Sequence, residues 1–105
     1  MMINQGENLK FDILEGRKVI SSVSYVASTG EVSVVNHDQY ARVYMSDDAT
    51  YDDVEYFLKS RVFSMSQSAR DFLSAHNIDI NDELSILRVS KGRLEGDKIS
   101  VKIYI

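Results

Sequence analysis

The sequence predicts an α+β domain: a mainly antiparallel sheet of five or six strands, in the order β-β-β-(β)-α-α-β-β, with two helices packed on one face. Three observations lead there. Residues 9–35 and 99–105 alternate apolar and polar side chains with a period of two, the mark of a half-buried strand. Residues 50–73 carry apolar side chains at helical spacing instead. Alternation on one side only suits antiparallel strands with one face on a core and the other in water.

Taken in order, Leu9, Phe11 and Ile13 alternate with Lys10 and Asp12 in a first strand. Glu15-Gly16 supplies a reversal, because glycine takes positive φ without steric cost. A second strand sets Val19, Val23 and Tyr25 on one side and Ile20 and Val26 on the other. Ser28-Thr29-Gly30 turns the chain into a third strand with Val32, Val34 and Val35. After a loop at Asn36–Gln39, residues Tyr40–Met45 read as a short fourth strand, with Tyr40, Arg42 and Tyr44 opposite Ala41, Val43 and Met45.

Thr50 then fits a helix N-cap, and Val54, Phe57, Leu58 and Val62 form an i, i+3, i+4, i+8 stripe. A second helix is expected from Ser64 or Ser66, where Ser64-Met65-Ser66-Gln67 fits a capping box. Its stripe is Met65, Ala69, Phe72 and Leu73, and Asn77 is a natural left-handed stop. Leu84, Ile86 and the Leu87–Val89 pair read as a strand, followed by a polar connection containing Gly92 and Gly96. Ile99, Val101, Ile103 and Ile105 make the cleanest alternation of all.

A chain of 105 residues predicts a single domain spanning 1–105, with residues 1–8 as a flexible leader. Without cysteine there is no disulfide framework and no thiolate metal site. The first residues lack the basic and apolar regions of a signal peptide, and no apolar run approaches the roughly 20 residues that cross a bilayer. These features predict a cytoplasmic protein with no membrane partner.

The net charge of −4 argues against simple electrostatic capture of nucleic acid. The charge is uneven, however. Residues 1–58 hold four basic and ten acidic side chains, whereas residues 59–105 hold eight and six. The densest acidic group is Asp47, Asp48, Asp52, Asp53 and Glu55. No calcium-loop spacing is present, and three of the five fall in the first turn of a predicted helix, where the helix dipole alone would favour them. A second group, Asp79, Asn81, Asp82 and Glu83, reads as a surface loop.

Neither histidine, His37 or His76, has the sequence context of a catalytic base, and no serine sits in a nucleophile-elbow motif. Gly92-Arg93-Leu94-Glu95-Gly96 lacks the lysine and context of a phosphate loop. No catalytic residue, metal site or cofactor is therefore expected, and the chain does not read as an enzyme. Basic residues with an aromatic neighbour do gather near the end: Lys91, Arg93, Lys98, Lys102 and Tyr104.

The function expected is that of a small non-catalytic protein-binding module, an inhibitor or accessory factor, acting through the acidic patch, with nucleic-acid mimicry as its sharpest form. A small nucleic-acid binder using the C-terminal basic-aromatic group is the first alternative. A ligand-binding protein or enzyme with a site at a subunit interface is the second. Another protein is the expected partner. Leu14, Ile20, Val26, Val35, Tyr44 and Tyr104 would fall opposite the core, and covering them predicts a homo-oligomer, in the first instance a dimer.

Overall fold

The computed structural model describes residues 6–61, 67–78, 83–92 and 98–104. Among these residues the fold is α+β, with a four-stranded antiparallel sheet and three α-helices. β1 (Leu9–Glu15), β2 (Lys18–Val26) and β3 (Glu31–Asn36) form a meander. A 3₁₀ turn (Gln39–Val43) leads to α1 (Tyr51–Ser60), α2 (Gln67–Ala75) and α3 (Glu83–Ser90). β4 (Ile99–Ile103) then returns antiparallel to β1, giving the spatial order β3-β2-β1-β4.

Both hairpin turns form where glycine was expected to allow them, with Gly16 at φ 61° and Gly30 at φ 72°. The register puts Leu9, Phe11 and Ile13 beside Tyr25, Val23 and Ser21, and beside Val101 and Ile103 of β4, all on one face. That face is the core. Phe11 stacks on Phe57 of α1, with ring centroids 6.3 Å apart, and Tyr25 tilts against Tyr51 at 4.8 Å. Val54 and Leu58 of α1, Leu73 of α2, and Ile86 and Leu87 of α3 complete one hydrophobic cluster. Burying each such side chain is worth roughly 1.5–3 kcal/mol.

The helix ends follow the expected chemistry. Thr50 caps α1, its hydroxyl accepting from the Asp53 amide while Asp53 accepts from the Thr50 amide at 2.9 Å. Asn77 adopts φ 59° beyond α2. The Ile78 amide reaches the Leu73 carbonyl (2.9 Å) and the Asn77 amide that of Ser74 (3.1 Å), a complete Schellman motif with Ile78 packed against the core. The expected start of this helix at 64–66, with Met65, lies outside the described residues, as do Val62 and Ile105. Phe72, expected in the stripe, is half exposed and packs on His76 instead.

Two expected strands are not strands, so among the described residues the sheet has four members rather than five or six. Residues 40–45 begin as a 3₁₀ turn because the Asp38 side chain accepts from the Tyr40 amide and caps it. Ala41 and Met45 are buried while Val43, which strand alternation would place beside them, is 82% exposed. Residues 84–89 belong to α3. Ile86 and Leu87 are both fully buried, which adjacent residues of a strand with one wet face cannot be, whereas neighbours about 100° apart on a helix can.

The register also slips between Ile13 and Leu14: Ile13 faces Ser21 and Leu14 faces Val19, leaving Ile20 as the extra residue of a bulge. Ile20 is thereby fully buried and joins the core instead of lying opposite it. Tyr44 likewise packs against the core, edge-on to Phe57. The open face retains Val26, Val35 and Tyr104 as exposed apolar side chains, among Ser22, Ser24, Ser33, Lys10 and Lys102. Among the described residues no helix is long and apolar enough to cross a membrane.

Candidate functional site

The acidic residues 47–55 lie together at the entry to α1, but most are engaged locally. Asp47 accepts from the Arg42 guanidinium at 2.6 Å and from the Asn36 amide at 2.8 Å. Those two hydrogen bonds hold its carboxyl below the usual carboxylate range. Asn36 also donates to the Met45 carbonyl (2.9 Å) and accepts from the buried Ser21 hydroxyl, so it pins the chain after the 3₁₀ turn to the end of β3. Asp48 accepts from Ser46, Asp53 closes the α1 cap, and Glu55 pairs with Lys59 at 3.3 Å. Asp52 stands exposed in the first turn of α1.

Beside them a groove of about 510 Å³ runs between the 3₁₀ turn and α1. Its wall includes Val43 and Tyr56, the latter 78% exposed, with Asp53 at the same groove. Arg61 also lines it, buried over the Phe57 ring at 5.6 Å. Sequence reasoning misses this groove, since alternation at 40–45 suggests a strand for Val43 and Tyr56 carries no motif.

The basic-aromatic group is partly assembled. Lys91 and Lys102 line one cleft of about 480 Å³, and Arg17 from the β1–β2 turn and Arg88 from the last turn of α3 line it with them. Lys98 is exposed but lies outside that lining, and Arg93 falls outside the described residues. Tyr104 sits on the open sheet face, its hydroxyl donating to Asp12 at 2.7 Å between the ammonium groups of Lys102 (5.3 Å from the ring centre) and Lys10 (6.0 Å). Arg17 and Arg88 were not singled out, because only the pairing of β4 with β1 brings them to Lys102.

The Ser22 hydroxyl lies 3.2 Å from His37 Nε2 on the exposed sheet face. Asp38, the neighbouring carboxylate, is turned to Lys18 instead (3.1 Å). No carboxylate among the described residues orients the other ring nitrogen, so the pair lacks the third member of a hydrolytic triad. Among the described residues no three carboxylate or imidazole groups are placed to hold a metal ion.

Three phenols carry the clearest titration signature. Tyr40 is pushed up to about 12, chiefly by its hydrogen bond to Glu15; Tyr51 is pushed up to about 12, chiefly by burial and then by Glu55; the bond to Asp12 raises Tyr104. A phenol whose folded pKa exceeds its unfolded value of about 10 contributes stability in full below that value and loses it as pH rises toward the folded pKa. We therefore expect an alkaline loss of stability between about pH 10 and 12. A spectroscopic tyrosine titration should show a late-ionising fraction that Tyr40→Phe and Tyr51→Phe each reduce. A single transition near pH 10, unchanged by either substitution, would contradict these environments.

Comparison with models of protein families, with curated proteins and with solved structures returns no match to this chain.

Proposed function

We propose that this chain is a non-catalytic protein-binding module, an inhibitor or accessory factor, whose contact surface is the groove between the 3₁₀ turn and α1. The observation that carries the reading is the exposure of Val43 and Tyr56 on one concave surface. Tyrosine is a favoured anchor of protein interfaces, because it offers a large rigid surface with a polar tip. Asp48 and Asp52 lie exposed nearby and favour a partner with a basic rim around an apolar knob. Mimicry of nucleic acid is less well supported, since Asp47, Asp53 and Glu55 each have a carboxylate oxygen held by a local partner.

Self-association through the open sheet face also has weaker support, as Ile20 and Tyr44 belong to the core and serines separate what remains. Asp47 and Asp53 serve the fold, so the informative substitutions are Val43→Ala with Tyr56→Ala, and Asp52→Asn. A partner captured from the native host and then purified should bind the Val43→Ala, Tyr56→Ala variant on the order of 30-fold more weakly, a hot-spot-sized loss. Asp52→Asn should reduce the on-rate and its salt dependence. Equal affinity for wild type and the double variant would overturn the reading. A partner that proves to be a second copy of the chain would overturn its heterologous form.

A further inference from the structure

We propose that the basic cleft at the β4 edge is a binding site for a compact organic phosphate, nucleotide-sized and carrying at least two phosphate groups. It shares no lining residue with the groove beside α1, so it stands independently.

Four basic residues from separate parts of the chain line it: Arg17, Arg88, Lys91 and Lys102. Among the described residues, none of them is in an ion pair and no carboxylate lines the cleft with them. Three ion pairs engage Lys18, Arg42 and Lys59 elsewhere, whereas no described carboxylate is ion-paired with these four. The helix dipole favours Arg88 and Lys91 at the end of α3, but it does not reach for Arg17 in a hairpin turn or Lys102 on a strand. An anionic ligand accounts for the gathering of all four in one cleft, where Lys102 also lies over the Tyr104 ring.

The cleft also selects for shape. Its volume of about 480 Å³ falls within the range of small-molecule sites. Leu14, Val101 and Ile103 supply aliphatic residues to its lining, and Ser100 a polar one. Guanidinium forks and ammonium groups suit phosphate oxygens, and aliphatic carbon suits the flat body of an organic group. A long nucleic acid is disfavoured. The net charge of −4 opposes the approach of a long polyanion more than that of a small ligand seated among the four basic residues.

Calorimetric titration of the full chain with adenosine diphosphate, inorganic pyrophosphate and a ten-nucleotide single-stranded DNA tests this. Adenosine diphosphate should bind with one-to-one stoichiometry, more tightly than pyrophosphate and than the DNA. Arg88→Gln with Lys102→Gln, both at exposed positions, should weaken it tenfold or more, and Arg42→Gln in the other groove should leave it unchanged. Absence of saturable binding at millimolar ligand, or binding indifferent to the double substitution, would overturn the site. Pyrophosphate binding as tightly as the nucleotide would overturn the organic component, and tighter binding of the DNA would overturn the compact ligand.

Discussion

Phe11→Ala should lower the folding stability by about 3–5 kcal/mol, the range for removing a fully buried aromatic ring from a packed core. Phe11 is 0% exposed, lies centrally in β1 between Val23 and Ile103, and stacks on Phe57 with its ring plane 5° from parallel. It therefore joins three elements at once: two neighbouring strands and α1. Against a total stability of about 5–15 kcal/mol for a domain of this size, the loss is a large fraction. In urea unfolding the midpoint should fall by on the order of 2 M with little change in slope. Phe72→Ala is the matched control. That ring is 49% exposed on α2, so its removal should cost less than about 1 kcal/mol. Equal losses at the two positions would mean that the sheet face bearing Phe11 is not the centre of the core.

Gly92→Ala should cost about 2–4 kcal/mol, well beyond the same change at Gly16 or Gly30. All three glycines have positive φ, 61° to 72°, so each substitution carries a backbone penalty of roughly 1–2 kcal/mol. At Gly16 and Gly30 an added methyl meets open space. At Gly92 it would lie 3.0 Å from Val101 Cγ2, 3.2 Å from Val101 Cβ and 3.5 Å from Arg61 Cβ. The crowding has a structural origin. The Lys91 carbonyl accepts from the Val101 amide on the outer edge of β4, drawing the end of α3 against that strand. A double-mutant cycle with Val101→Ala should recover part of the Gly92→Ala loss, with a coupling of about 1 kcal/mol or more. Thermal unfolding of the three glycine variants checks the ranking. Indistinguishable losses would show that α3 does not close on β4.

The meander, the start of α1 and the stop of α2 were legible because their signals are local. Alternation at 9–13, glycine at 16 and 30, Thr50 three residues before Asp53, and Asn77 after Leu73 each act within a few residues. Where the fold departed from expectation, the deciding contact lies far along the chain or competes with a local pattern. Ile86-Leu87 is a short apolar run that suits a strand or a helix, and only burial of both neighbours decides between them. The acidic residues just before it, Asp82 and Glu83, were a helix-start signal read instead as a loop. The bulge at Ile20 is a one-residue slip that an alternation of Ser and Val tolerates without trace.

The candidate sites divide in the same way. Lys91 and Lys102 could be singled out as basic residues near an aromatic one, but Arg17 lies in the first hairpin and reaches them only through the antiparallel pairing of β4 with β1. The acidic residues were easy to find and harder to interpret, because the partners that engage Asp47, namely Asn36 and Arg42, sit outside the acidic run.

The pairing of β4 with β1, with α3 packed between its end and the core, is the claim on which both the fold and the basic cleft depend. Because the Val101 amide points outward to Lys91, Ile13 and Val101 form a non-hydrogen-bonded pair whose α-protons face each other. A proton–proton NOE spectrum should show α-proton contacts for Ile13–Val101 and Phe11–Ile103, together with sequential amide contacts through residues 83–90. Strand-type contacts across 84–89, or an Ile13 α-proton with no neighbour in 99–103, would contradict it.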